Sequence, residues 1–146
     1  MKAIVTGKMT TIKDNLTVLL VDDEPDITTI FTLGLEDNGF KVDAFNNPLE
    51  ALSSFKPGAY DLALIDYKMA DMNGFELYTE LRKLDTQLKV CFITAYEIYL
   101  ENAGGRHQRT ITSRQQNKAE VDVNCFIQKP IAVAELVKRV KEELHS

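Results

Sequence analysis

Two adjacent carboxylates, Asp22 and Asp23, close the apolar run Thr17–Val21, and a third, Asp66, closes the run Leu62, Ala63, Leu64, Ile65. Thr94 and Lys129 close two further apolar runs, over 89–93 and 124–128. If these runs are strands of one parallel sheet, their carboxyl ends gather the five side chains at the edge where open α/β sheets place their sites. Like charges held that close need a cation, and hard oxygen ligands suit Mg2+. An ammonium and a hydroxyl beside them suit stabilisation of a phosphoryl group.

The elements that must position these residues alternate regularly. Strands are expected at 17–21, 41–45, 61–65, 89–93 and 124–128. Pro25 suits a first helical position, and Ile27, Ile30, Phe31 and Leu35 give that helix one apolar face before Asn38 and Gly39 end it. Asn47 and Pro48 open a second helix carrying Leu49, Leu52 and Phe55, which Lys56, Pro57 and Gly58 break. A third, after Gly74, faces inward with Phe75, Leu77, Tyr78 and Leu81, and a last one shows Val133, Leu136, Val137, Val140 and Leu144. Alternating strands and helices predict a doubly wound α/β fold, a five-stranded parallel sheet with helices on both faces.

Composition frames the same reading. The 146 residues suit one domain with a single core, with 45% hydrophobic and 27% charged residues. No apolar stretch approaches a membrane span and the start has no secretion signal, so a cytoplasmic protein is expected. A net charge of −5 does not suit a polyanion binder. Cys91 and Cys125 each sit in an apolar strand-like run and are expected as buried, reduced thiols.

The segments VLLVDDEPDI (18–27), LALIDYKMADMNGFEL (62–77), VCFITAY (90–96) and CFIQKP (125–130) together resemble the response regulator receiver domains of two-component signalling, which have a flavodoxin-like (βα)5 fold. The resemblance runs in the family's order from Thr17 onward. It implies that Asp66 is the phosphoacceptor for a phosphohistidine on a sensor histidine kinase or phosphotransfer protein. It implies Mg2+ as the cofactor, held directly by Asp23 and Asp66, through a water by Asp22, and by the backbone carbonyl of Lys68. Thr94 would bond a phosphoryl oxygen, Lys129 would pair with it, and Phe126 stands at the family's switch aromatic. Such a protein is a switch and not an enzyme that turns over; it catalyses only its own phosphorylation and dephosphorylation.

The plain readings are different. Acids before Pro25 also suit helix capping, Asp66 a turn after a strand, Lys129 a solvated surface position, and Phe126 ordinary core. Capping predicts neither Asp66 nor Lys129 in register. Lys129 directly precedes Pro130, where a cis peptide is accommodated.

Departures from the family fall in two places. Thr94 and Lys129 are separated by 34 residues, about a dozen more than the family's spacing. Gly104 and Gly105 interrupt the helix due near Glu97, and Arg106, Arg109, Arg114 and Lys118 make a basic stretch in an acidic chain. An insertion or altered helix over about 101–122 is therefore expected, as a solvated loop or a changed partner surface; no aromatic interleaves its basic residues, which argues against base stacking. Ala70 and Asn73 stand where the family has proline and aspartate, and Lys68 and Tyr96 occupy positions that tune access of water to the acyl phosphate. Residues 1–15 read as an extension and 16–146 as the receiver. The chain ends straight after the last helix, so a stand-alone receiver is expected, with output through an unidentified downstream protein or a homodimer and without a membrane. The alternatives are a receiver-like interaction module that works without phosphorylation and a Mg2+-dependent phosphohydrolase; Lys68 stands where the latter would want a second acid.

Overall fold

The computed structural model describes residues 16–95, 109–112, 118–121 and 125–145. The elements run β1 (Thr17–Val21), α1 (Pro25–Asp37), β2 (Lys41–Phe45), α2 (Pro48–Ser54), β3 (Leu62–Asp66), α3 (Gly74–Leu84), β4 (Val90–Thr94), β5 (Arg109–Thr112), β6 (Lys118–Val121), β7 (Cys125–Gln128) and α4 (Val133–Leu144). Five strands form one parallel sheet in the order β2-β1-β3-β4-β7. This is the doubly wound architecture expected, with β3 and β4 ending one residue later than read, so that Asp66 and Thr94 close their strands.

Side-chain alternation explains why both faces need cover. Along β1, Leu19 and Val21 point into one core layer while Val18 and Leu20 point into the other; β3 and β4 divide in the same way. The first layer is closed by Ala51 of α2, Phe55 just after it, and Leu77, Tyr78 and Leu81 of α3. The second is closed by Phe31 and Leu35 of α1 and by Leu136, Val137 and Val140 of α4. Side chains such as Leu19, Leu64 and Leu136 are fully buried, each stabilising the fold by roughly 1.5–3 kcal/mol. Gly34 lets α1 approach α4 closely, since a Cβ there would collide with the Val133 side chain. Ile30 and Leu49, both expected on inward faces, are instead half exposed at the borders of their helices' apolar stripes. No described helix is long and apolar enough to cross a membrane.

One expectation is corrected. Cys91 and Cys125 are not separate reduced thiols: they form a disulfide with Cα atoms 4.6 Å apart. The parallel register of β4 and β7 sets them directly opposite one another, on the same face of the sheet. Within the stretch over about 101–122 expected as an insertion or altered helix, the described residues form two paired antiparallel strands, with Arg109 opposite Val121 and Thr112 opposite Lys118. The β-branched run Thr110, Ile111, Thr112 favours extended backbone over helix. Tyr96, Arg106, Arg114 and the extension over 1–15 lie outside the described residues.

Candidate functional site

The strand order reverses between β1 and β3, and the crevice at such a reversal opens at the carboxyl ends of the strands. Asp22 follows β1 directly, its N–H donating to the Phe45 carbonyl (3.1 Å) and its carbonyl accepting from Asn46 Nδ2 (2.8 Å). Asn46 also donates to Thr28 Oγ1 on α1 (3.0 Å), so the β1 end is tied to the helix after it. Asp66 ends β3, where Tyr67 N–H donates to the Ile93 carbonyl (2.9 Å). Lys129 N–H donates to the Thr94 carbonyl (2.8 Å), which sets the ends of β4 and β7 side by side. The Lys129–Pro130 peptide is cis.

These backbone ties bring four of the residues singled out above into contact range. Asp22, Asp23 and Asp66 each offer a carboxylate oxygen, all within 4.8 Å of one another. Lys129 Nζ lies 2.8 Å from Asp22 Oδ2 and 3.5 Å from Asp66 Oδ1. Asp22, Asp66 and Thr94 are buried while Asp23 is exposed, so the cluster has a dry floor and one open side. Phe126 is half-buried on β7 and stacks on Phe92, with ring centroids 5.7 Å apart. Lys68 is exposed in the loop after Asp66.

Electrostatics follow from this crowding. Burial pushes the Asp66 carboxyl up to about 7, and the Asp22 charge adds to the rise against the pull of Lys129. Burial alone would lower the Lys129 ammonium, but its hydrogen bond to Asp22 and the charges of Asp66 and Asp22 outweigh it and hold the group above its ordinary value. The single charge of Lys129 does not balance the three carboxylates gathered around it. Three convergent carboxylates in an under-neutralised pocket are a donor set that fits a hard divalent cation.

Two participants were missed by sequence reasoning. Glu24, one residue past the acid pair, brings Oε1 to 3.3 Å from Lys129 Nζ; its position before Pro25 signalled only a cap. Gly74 begins α3 against the end of β3, where a Cβ would lie 2.5 Å from the Asp66 carbonyl oxygen. The loop between them is closed by Gly74 N–H to the Tyr67 carbonyl (2.6 Å) and by an Asn73–Glu76 capping box.

Fold and site together define a parallel α/β protein with an acidic, lysine-bearing crevice at its strand ends. The family model of the response regulator receiver domain matches residues 18–103, and the chain belongs to that family. Receiver domains are the phosphoryl-accepting switches of two-component phosphorelays; they are phosphorylated on aspartate, bind Mg2+ at the phosphorylation site and partner with histidine kinases. As signalling modules they are generally not enzymes, and the phosphorylation-independent alternative is not favoured. Among curated relatives, the uncharacterized transcriptional regulatory protein YkoG of Bacillus subtilis is 28% identical over 87% of this chain and 50% of its own length. The hybrid signal transduction histidine kinase B of Dictyostelium discoideum is 31% identical over 88% of this chain but 7% of its own. The chain therefore spans half or less of these relatives. Among solved structures, the response regulator TrrA of Thermotoga maritima in complex with Mg2+ and beryllofluoride is 28% identical, with a TM-score of 0.66 over 88% of this chain and 98% of that one. TrrA in complex with the histidine kinase ThkA superposes similarly, at 29% identity and a TM-score of 0.67.

Proposed function

We propose that this receiver accepts a phosphoryl group on Asp66 from the phosphohistidine of a sensor kinase or phosphotransfer protein in the cytoplasm, and that the modified site changes a partner-binding face. One observation carries the reading: Lys129 Nζ stands within 3.5 Å of Asp66 and hydrogen-bonds Asp22, inside a cluster of three carboxylates. Asp66 attacks phosphorus; the new O–P bond forms as the P–N bond breaks, and the electron pair stays on the departing imidazole nitrogen. Asp22, Asp23 and Asp66, with the Lys68 carbonyl, would hold Mg2+, which neutralises charge on the transferring oxygens. Lys129 supplies the second positive charge, and the Thr94 hydroxyl bonds a phosphoryl oxygen. As these two groups draw toward the phosphoryl group, Phe126 turns inward from its half-buried position, giving two packings of one face. Output then passes to a downstream protein or a second copy of the chain. Acetyl phosphate with Mg2+ is expected to add one base- and hydroxylamine-labile phosphoryl group, mapped by peptide analysis to Asp66; a group mapped to another residue, or none, would overturn the reading.

Proton competition gives a pH signature. Because the metal-free Asp66 carboxyl sits at about 7, Mg2+ affinity should weaken about tenfold for each pH unit below that value and level off above it. Calorimetric titration across neutral pH checks this, and Asp66→Asn should flatten the dependence. A pH-independent affinity in the unsubstituted protein would contradict it.

Glu24 competes with the incoming phosphoryl group for Lys129. Its side chain is 63% exposed, so solvent screening keeps the effect small, about 0.2–1 kcal/mol. Glu24→Gln is expected to speed phosphorylation by acetyl phosphate by between about 1.4-fold and about fivefold. An unchanged or slower rate would show that Glu24 does not hold Lys129 back.

A further inference from the structure

The parallel register of β4 and β7 puts Cys91 and Cys125 directly opposite each other, and their sulfurs are bonded across the seam between the two strands. β7 is the edge strand of the sheet, only four residues long, and among the described residues it pairs with β4 alone. It also carries Phe126 and leads directly into Lys129. The described part of the crossover that delivers β7 is a pair of short strands, β5 and β6, joined to each other and, among the described residues, not to the main sheet. We propose that Cys91 and Cys125 form a thiol–disulfide exchange site whose oxidation fastens the edge strand β7 to the sheet. This is independent of whether Asp66 is the phosphoacceptor.

The surroundings of the pair suit reversible chemistry. Arg139 Nη2 of α4 lies 3.7 Å from Cys125 Sγ and 3.5 Å from the Phe126 carbonyl oxygen. A cation there favours negative charge on Cys125 sulfur, which makes it the leaving sulfur when the bond is cleaved. Glu143 offers a carboxylate oxygen within 4.8 Å of both sulfurs, an acceptor for the proton a thiol gives up when the bond forms. In oxidation the two thiols lose two protons and two electrons to a low-molecular-weight disulfide, which leaves as two thiols. A dithiol returns both and becomes the cyclic disulfide. Both cysteines are buried, so either reagent reaches them when the edge strand opens, and exchange is gated by that opening. In a reducing compartment the dithiol is the resting form, and an oxidant makes the bond.

Intact-mass analysis after alkylation in denaturant tests the site. Protein incubated with glutathione disulfide is expected to take up no alkyl group until a dithiol is added, and two afterwards. Thermal melting should then fall by roughly 10 °C on reduction, given the length of the closed loop. Backbone amides of 125–128 should gain the most in hydrogen exchange. The double variant Cys91→Ser, Cys125→Ser should melt like the reduced protein and be indifferent to dithiol. Arg139→Gln should slow reduction of the bond without changing the alkylation count. Two free thiols after glutathione disulfide treatment would overturn the exchange site, and a bonded pair whose reduction leaves both melting and β7 exchange unchanged would overturn its hold on the strand.

Discussion

Asp66→Asn is expected to lower phosphorylation by acetyl phosphate or a donor kinase at least about a thousandfold, because an amide has no anionic oxygen with which to attack phosphorus. The same substitution is expected to stabilise the metal-free fold near neutral pH, and the sign follows from the acid's environment. The folded-state carboxyl titrates at about 7 against 3.8 for the unfolded chain, chiefly through burial and then through the Asp22 charge. Between these values the folded protein holds more protons than the unfolded one, so stability falls as pH rises, and the loss is complete just above the folded value. At about pH 8 the ionised group therefore costs the fold about 3 kcal/mol, after an allowance for solvent screening. Asparagine removes that cost, so chelator-treated Asp66→Asn should melt roughly 5–10 °C higher at about pH 8 and within a degree or so of the unsubstituted protein near pH 4. Addition of Mg2+ should narrow the gap at the higher pH by stabilising the parent alone. A variant that is no more stable at about pH 8 than at about pH 4, relative to the parent, would show that the ionised Asp66 carboxylate does not cost the fold what its burial implies.

Asp66 was legible because two periodicities met on it. The fully apolar runs ending at Val21 and Ile65 can only be strands covered on both sides, and the acid that ends each must then emerge at the sheet's carboxyl edge. Lys129 followed in the same way from β7, and the structure sets its ammonium among those acids. The disulfide was not legible for a related reason. A strand pattern reports which face a residue takes but not the register of one strand against the next, so nothing in the order of residues set Cys91 opposite Cys125. Glu24 escaped because an exposed acid before a helical proline has a sufficient local explanation, while its reach to Lys129 spans 105 positions of the chain. The paired strands β5 and β6 were not read as such: the stretch between Thr94 and Lys129 was read as an insertion or altered helix from its glycines and basic residues, while the β-branched run at 110–112 carried a local preference for extended backbone.

Gly74→Ala should be among the most damaging single methyl additions at the site. An alanine Cβ at Gly74 would stand 2.5 Å from the Asp66 carbonyl oxygen and 2.9 Å from Tyr67 Cα. Both obstacles are backbone, so no side-chain rotation relieves the contact, and either the start of α3 or the end of β3 must move. The turn holds them together from both directions, through Gly74 N–H to the Tyr67 carbonyl and through the Asn73–Glu76 capping box that fixes the helix start. The expected cost is about 3 kcal/mol, seen as a fall in melting temperature of roughly 5–10 °C. Gly39→Ala is the matched control: Gly39 has a φ of +92° with nothing within 4 Å of its absent Cβ, so the cost there is backbone strain alone, about 1–2 kcal/mol. The two variants should also part in function. Displacing the Asp66 backbone by even about 1 Å spoils the alignment of its carboxylate with an incoming phosphoryl group and should slow phosphorylation up to about a hundredfold, whereas Gly39 lies at the opposite end of β2 from the crevice and its replacement should leave the rate of the folded protein unchanged. Equal melting temperatures for the two variants, or equal phosphorylation rates under conditions where both are folded, would mean that the close approach of α3 to the end of β3 does not position the acid.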